Sequence, residues 1–390
     1  MNRRESLNRN LLIAAVALFA LSAFSYYQSV QRAERFERGQ KFLSNLNPDE
    51  IAQIQIKKGD EETVLKRSGG GDRFLIPSEN GYRAQNSSVN RLIKDVLGLS
   101  LEKEVGSGES LEKELELVAG PDNKESIEVA LLNDADKEMV RFVIGKGFDG
   151  GGNYVLRLDD PERTVYLTDK RVYLSTSGAD FLDKQIVDIP EDEIQSIRGR
   201  DFAVARGGVL EGPEPEIPES QAVVEDSEGI EGEDAEAPTE PEAVAELDLE
   251  LVDLPQGKKA SSKLSQIKRV ASGLRFTQHH LANAPEVAGL VFSDGVEVEL
   301  KNGTTYVIEV ATKADKSYLR LEGFHKAAVR GGVTIARDAS DEEVKETSEV
   351  LEAIDKLQTF NAFHGSWIYE VTDSVAEKVR YTASDLTEDA

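Results

Sequence analysis

The chain states nearly one pattern twice, and that duplication constrains its fold more than any single motif. Phe42-Leu43, then Pro48-Asp49-Glu50-Ile51-Ala52-Gln53-Ile54, returns as Phe181-Leu182, then Pro190-Glu191-Asp192-Glu193-Ile194-Gln195-Ser196-Ile197. Ile93-Lys94-Asp95-Val96 with Gly98-Leu99 returns as Ile267-Lys268-Arg269-Val270 with Gly273-Leu274. Ile127-Glu128-Val129-Ala130-Leu131 returns as Val296-Glu297-Val298-Glu299-Leu300, and Tyr154-Val155-Leu156-Arg157-Leu158 as Tyr318-Leu319-Arg320-Leu321. Elements that recur in one order predict a duplicated α+β unit. What recurs is apolar pattern with charged punctuation rather than a set of catalytic groups.

A chain of 390 residues with 39% hydrophobic content can bury more than one core. Its net charge of −27 is concentrated: Gly207–Gly257 holds 17 Asp and Glu and no Lys or Arg. Removing those 17 charges takes the net charge from −27 to −10. Nucleic acid is excluded as an expected partner, because phosphate binding needs clustered Lys and Arg. The absence of Cys removes disulfides, thiolate metal sites and thiol nucleophiles.

Residues 10–31 contain no charge, and Leu11 to Phe24 is almost wholly apolar. Extended through Tyr27 as a helix, this run spans about 25 Å and predicts a single transmembrane anchor. Tyr26 and Tyr27 fall where an interfacial aromatic belt would lie. The competing reading is a cleaved signal peptide with small-residue sites at Ala20-Leu21-Ser22 or Ala23-Phe24-Ser25. Arg3, Arg4 and Arg9 precede the run while Arg32, Arg35, Arg38 and Lys41 follow it, so the flanking charges do not choose an orientation. The short leader ahead of a large polar region places the amino terminus inside.

Three regions follow: a leader, anchor and stalk over 1–41, a first α+β repeat over 42–180 and a second over 181–390. Each repeat is expected to contain mainly antiparallel strands and one main helix. In the first, strands are expected at Ile51–Ile56, Thr63–Lys66, Ile127–Leu131, Met139–Ile144, Tyr154–Leu158 and Thr164–Leu167. Val89, Leu92, Ile93, Val96 and Leu97 predict a helix over Ser87–Leu97, capped by Asn86 or Ser87. The second repeat places its helix near Ser262–Gly273. A longer helix, Asp341 to Phe360, is capped by Ser340 and striped by Val344, Val350, Leu351, Ile354 and Leu357. Between Val296-Val298-Leu300 and Tyr306-Ile308, burial selects a three-residue loop, Lys301-Asn302-Gly303, over a two-residue turn, with Gly303 at positive φ.

The second repeat is interrupted at 211–246 by 14 acidic residues and five prolines, a composition that predicts disorder. It reads as a solvated tether or as a binder of cations or a basic partner. Leu247, Leu249 and Leu251 then predict an edge strand.

These residues resemble the bacterial family catalogued as domain of unknown function 4340. The resemblance rests on Leu115-Glu116-Leu117 ahead of Pro121, Ile127–Leu131, Ile144-Gly145-Lys146, Tyr154–Leu158, Val165-Tyr166-Leu167 and Trp367-Ile368-Tyr369-Glu370-Val371. It covers most of the chain outside the acidic insert. Members of that family are typically membrane-anchored, with genes beside those for gliding-motility-like ABC-transporter components. The resemblance therefore implies an extracytoplasmic accessory role with an ABC-transporter-like partner. The insert departs from the family pattern.

Candidate chemistry is sparse. Gly145, Gly147, Gly150, Gly151 and Gly152 lead through Asn153 and Tyr154 into a strand, whereas a phosphate cradle would lead into a helix through Lys and a hydroxyl. A hairpin loop is expected there. His279-His280 diverge, and His325 and His364 offer no ligand spacing, so a surface or helix-end role is expected for the pair. Asp134 and Asp136 lack a calcium loop's remaining oxygens, and no Gly-x-Ser-x-Gly elbow occurs. Trp367 is expected in the core rather than on a partner. No catalytic, cofactor-binding or metal residue is nominated. The expected function is a non-enzymatic accessory protein of the cytoplasmic (inner) membrane, single-pass, held in lipid by its N-terminal helix, with its bulk outside the cytoplasm. The alternatives are an extracytoplasmic polymer- or lipid-binding protein and a hydrolase with an unrecognised site.

Overall fold

The computed structural model describes residues 16–26, 38–44, 46–69, 71, 73–120, 125–210, 248–329 and 340–390. It is an α+β protein of mostly antiparallel sheets, divided into two compact units at Asp183/Lys184. Residues 16–26 form helix α1, the described part of the expected membrane segment. Among the described residues no helix is long and apolar enough to cross a membrane. Residues 11–15 and 27 of the expected span lie outside them, as does the acidic insert, 211–246.

Unit 1 contains β1 (Gln53–Lys58), β2 (Glu61–Arg67), β3 (Phe74–Ile76), β4 (Tyr82–Arg83), α2 (Asn86–Leu97), β5 (Leu101–Ser107), α3 (Glu109–Glu114), β6 (Ile127–Leu132), β7 (Glu138–Gly147), β8 (Asn153–Arg157) and β9 (Thr164–Thr168). The nine strands form one sheet ordered β4-β3-β2-β1-β6-β7-β8-β9-β5. Val89, Leu92 and Val96 are the buried stripe of α2. Leu92 and Val96 share an interior space with Ile51, Ile54, Val129 and Leu131, so α2 covers β1 and β6. A separate cluster of Leu115, Leu117, Val143, Leu156 and Val165 forms after α3. Apolar cover on both faces explains why Phe142-Val143-Ile144 is a continuous buried run rather than an alternating one. The chain approaches β7 closely here, with Lys146 N–H donating to the Leu115 carbonyl at 3.0 Å. A Cβ on Gly145 would overlap that carbonyl.

Unit 2 contains β10 (Gln185–Val187), β11 (Ile194–Arg198), β12 (Ala203–Arg206), β13 (Leu249–Leu251), β14 (Lys258–Ala260), α4 (Leu264–Ile267), β15 (Leu274–Arg275), β16 (Gln278–Leu281), β17 (Asp294–Leu300), β18 (Thr304–Lys313), β19 (Lys316–His325), α5 (Lys326–Val329), α6 (Asp341–His364), β20 (Trp367–Val371), α7 (Asp373–Val379), α8 (Ala383–Leu386) and β21 (Thr387–Asp389). Its main sheet runs β13-β12-β11-β17-β18-β19-β20-β16. Read beside unit 1, that order is β3-β2-β1-β6-β7-β8-β9-β5 in its second copy.

Among the described residues, three differences between the copies stand out. The helix expected at Ser262–Gly273 is α-helical only over Leu264–Ile267. Beyond it Val270 N–H bonds Ile267 and Ser272 N–H bonds Arg269, three residues back, at 2.9 and 3.2 Å. These tight turns still bury Ile267, Val270, Ala271 and Leu274. The long helix α6 lies between β19 and β20, where unit 1 has only the turn from β8 to β9, so it is an addition to the repeat. The third difference lies beyond β13. In unit 1 the strand β4 pairs along the outer edge of β3, Leu75 opposite Arg83 and Ile76 opposite Tyr82. In unit 2 the next strand, β14, pairs with the late β21 instead, Lys258 opposite Asp389, and β13 ends its sheet.

Candidate functional site

The glycine cluster forms the β7–β8 hairpin loop. Phe148 N–H donates to the Gly152 carbonyl and Gly151 N–H to the Phe148 carbonyl, at 3.1 and 3.0 Å. His279 and His280 lie in β16, correcting the surface or helix-end expectation: cross-strand pairing with β20 half-buries both. Their rings point to opposite faces, His279 against Phe276 and Trp367, His280 against Tyr318. His364 is 1% exposed and its Nδ1 lies 2.7 Å from the Tyr369 hydroxyl. His325 closes β19, with Nε2 2.8 Å from the Asn302 carbonyl and Nδ1 accepting from Ala327 N–H at 3.2 Å. That pairing makes Nε2 the protonated nitrogen of the neutral ring. Asp134 and Asp136 occupy the β6–β7 turn, where Asp136 meets Lys66 at 3.1 Å. Trp367 is buried. The fold does not bring these residues together, and among the described residues no three His, Asp or Glu side chains converge as a metal cluster.

What the fold does assemble is a groove beside the β11–β12 turn and the end of β13, the last strand of unit 2's main sheet among the described residues. The β11–β12 turn is closed by Gly199 N–H donating to the Phe202 carbonyl at 3.0 Å, and the Phe202 ring lies where a Gly199 Cβ would project. The turn therefore directs Arg198 and Arg200 outward, their side chains 44% and 80% exposed. Arg198 stands 3.9 Å from Glu299 and Arg200 3.7 Å from Asp294, loose contacts that leave both guanidinium groups open to further partners. Asp201, by contrast, accepts the Ala383 N–H at 2.9 Å.

One wall of the groove is β13 and the chain after it. Val204 pairs with Leu251 and Arg206 with Leu249, while Val252 N–H reaches the Ala203 carbonyl and Gly207 N–H the Asp248 carbonyl. Ladder alternation then turns the backbone N–H and C=O of Leu249 and Leu251 away from β12, toward the open edge. Leu254 is 44% exposed beside them.

The opposite wall is α8 and β21, held to β14 by Lys258–Asp389 at 2.6 Å and Lys259–Glu388 at 3.5 Å, and to the start of α4 by Lys263–Asp385 at 2.7 Å. Asp385 also accepts from Thr382, and Lys263 followed by Thr382 holds its carboxyl down at about 2. Between the walls lies a space of about 540 Å³, lined by Arg198, Arg200, Phe202, Leu251, Leu254 and Ala383 among others. The arrangement offers a strand edge, an apolar floor and two cations, which are the elements of extended-peptide recognition by strand addition.

The fold and groove define a duplicated antiparallel α+β protein whose first copy adds a strand, β4, at the sheet edge where, among the described residues, its second adds none. Residues 75–254, from within β3 to just past β13, match the model of the family described as Domain of unknown function (DUF4340). No curated protein and no solved structure matches the chain.

The sequence did not point to the groove. Arg198, Arg200 and Leu254 carry no motif, and the one available signal was the missing counterpart of Tyr82-Arg83 after Leu251.

Proposed function

We propose that the protein is a non-enzymatic accessory protein held at the cytoplasmic membrane by its N-terminal segment. Its folded units stand on the extracytoplasmic side and take an extended segment of a membrane partner, of the ABC-transporter-like or motility-like kind that the family resemblance implies. The observation that carries this reading is the open β13 edge beside a groove, at the place where unit 1 supplies its own strand β4. An added strand would bond Leu249 and Leu251, set alternate apolar side chains against Phe202 and Leu254, and offer acidic groups to Arg198 and Arg200. The anchor is supported by α1, whose Val16, Leu18, Phe19, Leu21 and Phe24 are all exposed and have no cover within the chain's described residues. Tethering at a membrane raises the local concentration of the groove beside membrane partners, so modest intrinsic affinity suffices.

The test is site-specific photo-crosslinking of the full chain in its native membranes, with the reactive residue at Leu254 or, as control, at exposed Val291. The expected result is an adduct between position 254 and an integral membrane protein, absent at 291 and lost when Arg198→Glu and Arg200→Glu are combined. Crosslinks from 254 only into this chain's residues 211–247 would reassign the groove as self-occupied. Turnover of a hydrolase substrate by the purified chain would replace the reading with an enzymatic one.

A further inference from the structure

Every strand of unit 1's sheet ends at one of two edges, and registers show which loops share each. Gly39 N–H donates to the Leu101 carbonyl and Leu101 N–H to the Gln40 carbonyl, so the chain enters the unit beside the start of β5. Leu101 pairs with Thr168 at the end of β9. Tyr154, one residue into β8, pairs with Leu167. The β7–β8 loop is therefore at the same end, and Arg171 confirms it by donating to the Phe148 carbonyl at 2.8 Å. The β6–β7 and β8–β9 turns are at the other end.

The two ends differ in chemistry. Beyond α1, the large apolar side chains of unit 1 that stand exposed among the described residues are Phe148, at 42%, and Tyr173, at 83%. Both are at the entry end. Around them Lys41, Lys146, Lys170 and Arg171 are exposed, against Asp149 and Asp169, with Asp60, Glu61 and Glu62 at the β1–β2 turn of the same end. Lys170 has one distant carboxylate, Asp95 at 3.7 Å, and Asp169 accepts the Ser100 N–H at 3.0 Å. The far end presents Asp134, Asp136, Glu138, Asp160 and Glu162 interspersed with Lys66, Arg73 and Lys137, and among the described residues no exposed large apolar side chain.

We infer that the entry end of unit 1 is a membrane-contact surface, in which Phe148 and Tyr173 enter the headgroup layer of an anionic bilayer and Lys146, Lys170 and Arg171 meet its phosphates. The inference rests on the anchored reading and deepens it by stating which surface faces the lipid. Aromatic side chains flanked by Lys and Arg are the composition favoured at a membrane–water boundary. The far end has no exposed aromatic among the described residues to offer such a boundary. Only residues 27–37 separate α1 from Arg38, a tether of at most about 40 Å even when fully extended. The chain thus enters the unit at this end, within that distance of α1.

The natural sequence has no Cys, so single labels report unambiguously. The full chain carrying an environment-sensitive fluorophore on Phe148→Cys, Tyr173→Cys or, in the β6–β7 turn, Ala135→Cys is reconstituted into phosphatidylcholine–phosphatidylglycerol liposomes containing headgroup-nitroxide lipid. Flotation is scored first, then quenching. The expected result is that the chain floats and that labels at 148 and 173 are quenched at least about two-fold more than the label at 135. Combining Lys146→Glu and Lys170→Glu with Phe148→Cys should reduce that quenching. If the chain floats and all three labels are quenched alike, the contact surface is wrong while the anchor stands. If the chain stays in the aqueous fraction, the anchored reading fails and this inference falls with it.

Discussion

Gly152 shows how much one position can be asked to satisfy. Its φ is +85°, and a Cβ would overlap the Thr168 carbonyl on neighbouring β9. Gly108 has φ +124° but open space where a Cβ would stand. Gly152→Ala should therefore cost about 2–4 kcal/mol, combining backbone strain with displacement of β9, against about 1 kcal/mol for Gly108→Ala. Urea unfolding midpoints of the two variants check the difference. Asp385 makes a second, pH-dependent case. Its carboxyl titrates at about 2 because Lys263 and Thr382 stabilise the charged form. A carboxylate depressed on folding contributes stability above its unfolded value of 3.8 and loses it as pH falls toward about 2. Asp385→Asn should lower the unfolding midpoint at pH 6 and be indistinguishable from wild type near pH 2. A destabilisation that persists unchanged at pH 2 would count against an ionic role.

At the scale of the element, α6 separates what periodicity reports from what packing decides. Ser340 caps it, as the sequence implied, and Glu343 completes a capping box. The stripe of Val344, Val350, Leu351, Ile354 and Leu357 is not uniformly buried, however. Leu357 is 4% exposed, while Val344 and Leu351 are 38% and 43% exposed. The reason is the sheet beneath: Gly323 leaves room for Leu357, and the Asn361 side chain accepts from Gly323 N–H and donates to its carbonyl, at 2.8 and 2.6 Å. That fixes the carboxyl-terminal half of the helix on β19. Leu357→Ala should cost about 2–4 kcal/mol and Leu351→Ala no more than about 0.5 kcal/mol, measured by denaturant unfolding. The β17–β18 loop was legible because a one-residue slip exchanges faces. Val298 pairs with Tyr306, Val296 pairs with Ile308, and Gly303 has φ +82°. Strands β3, β4 and β16 were not, because two to four residues carry too little alternation to mark a strand.

For the molecule as a whole, repetition made the topology readable while hiding the place where the copies part. Strand pairs such as Ile127–Leu131 with Val296–Leu300, and Tyr154–Leu158 with Tyr318–Leu321, do hold corresponding positions in the two sheets. The groove escaped because its second wall depends on Lys258 meeting Asp389 across 131 residues of sequence, and no local pattern encodes such a pairing. That exchange of partners has a consequence in evolutionary terms. After a duplication, one copy can go on satisfying the demands of folding while its sibling is released to vary. Here unit 2 pairs β14 with β21, where unit 1 pairs β4 with β3. On the proposed reading, substitutions at Arg198, Arg200 and Leu254 alter what the groove takes without touching a core, whereas Tyr82 and Arg83, paired along β3, are tied to folding.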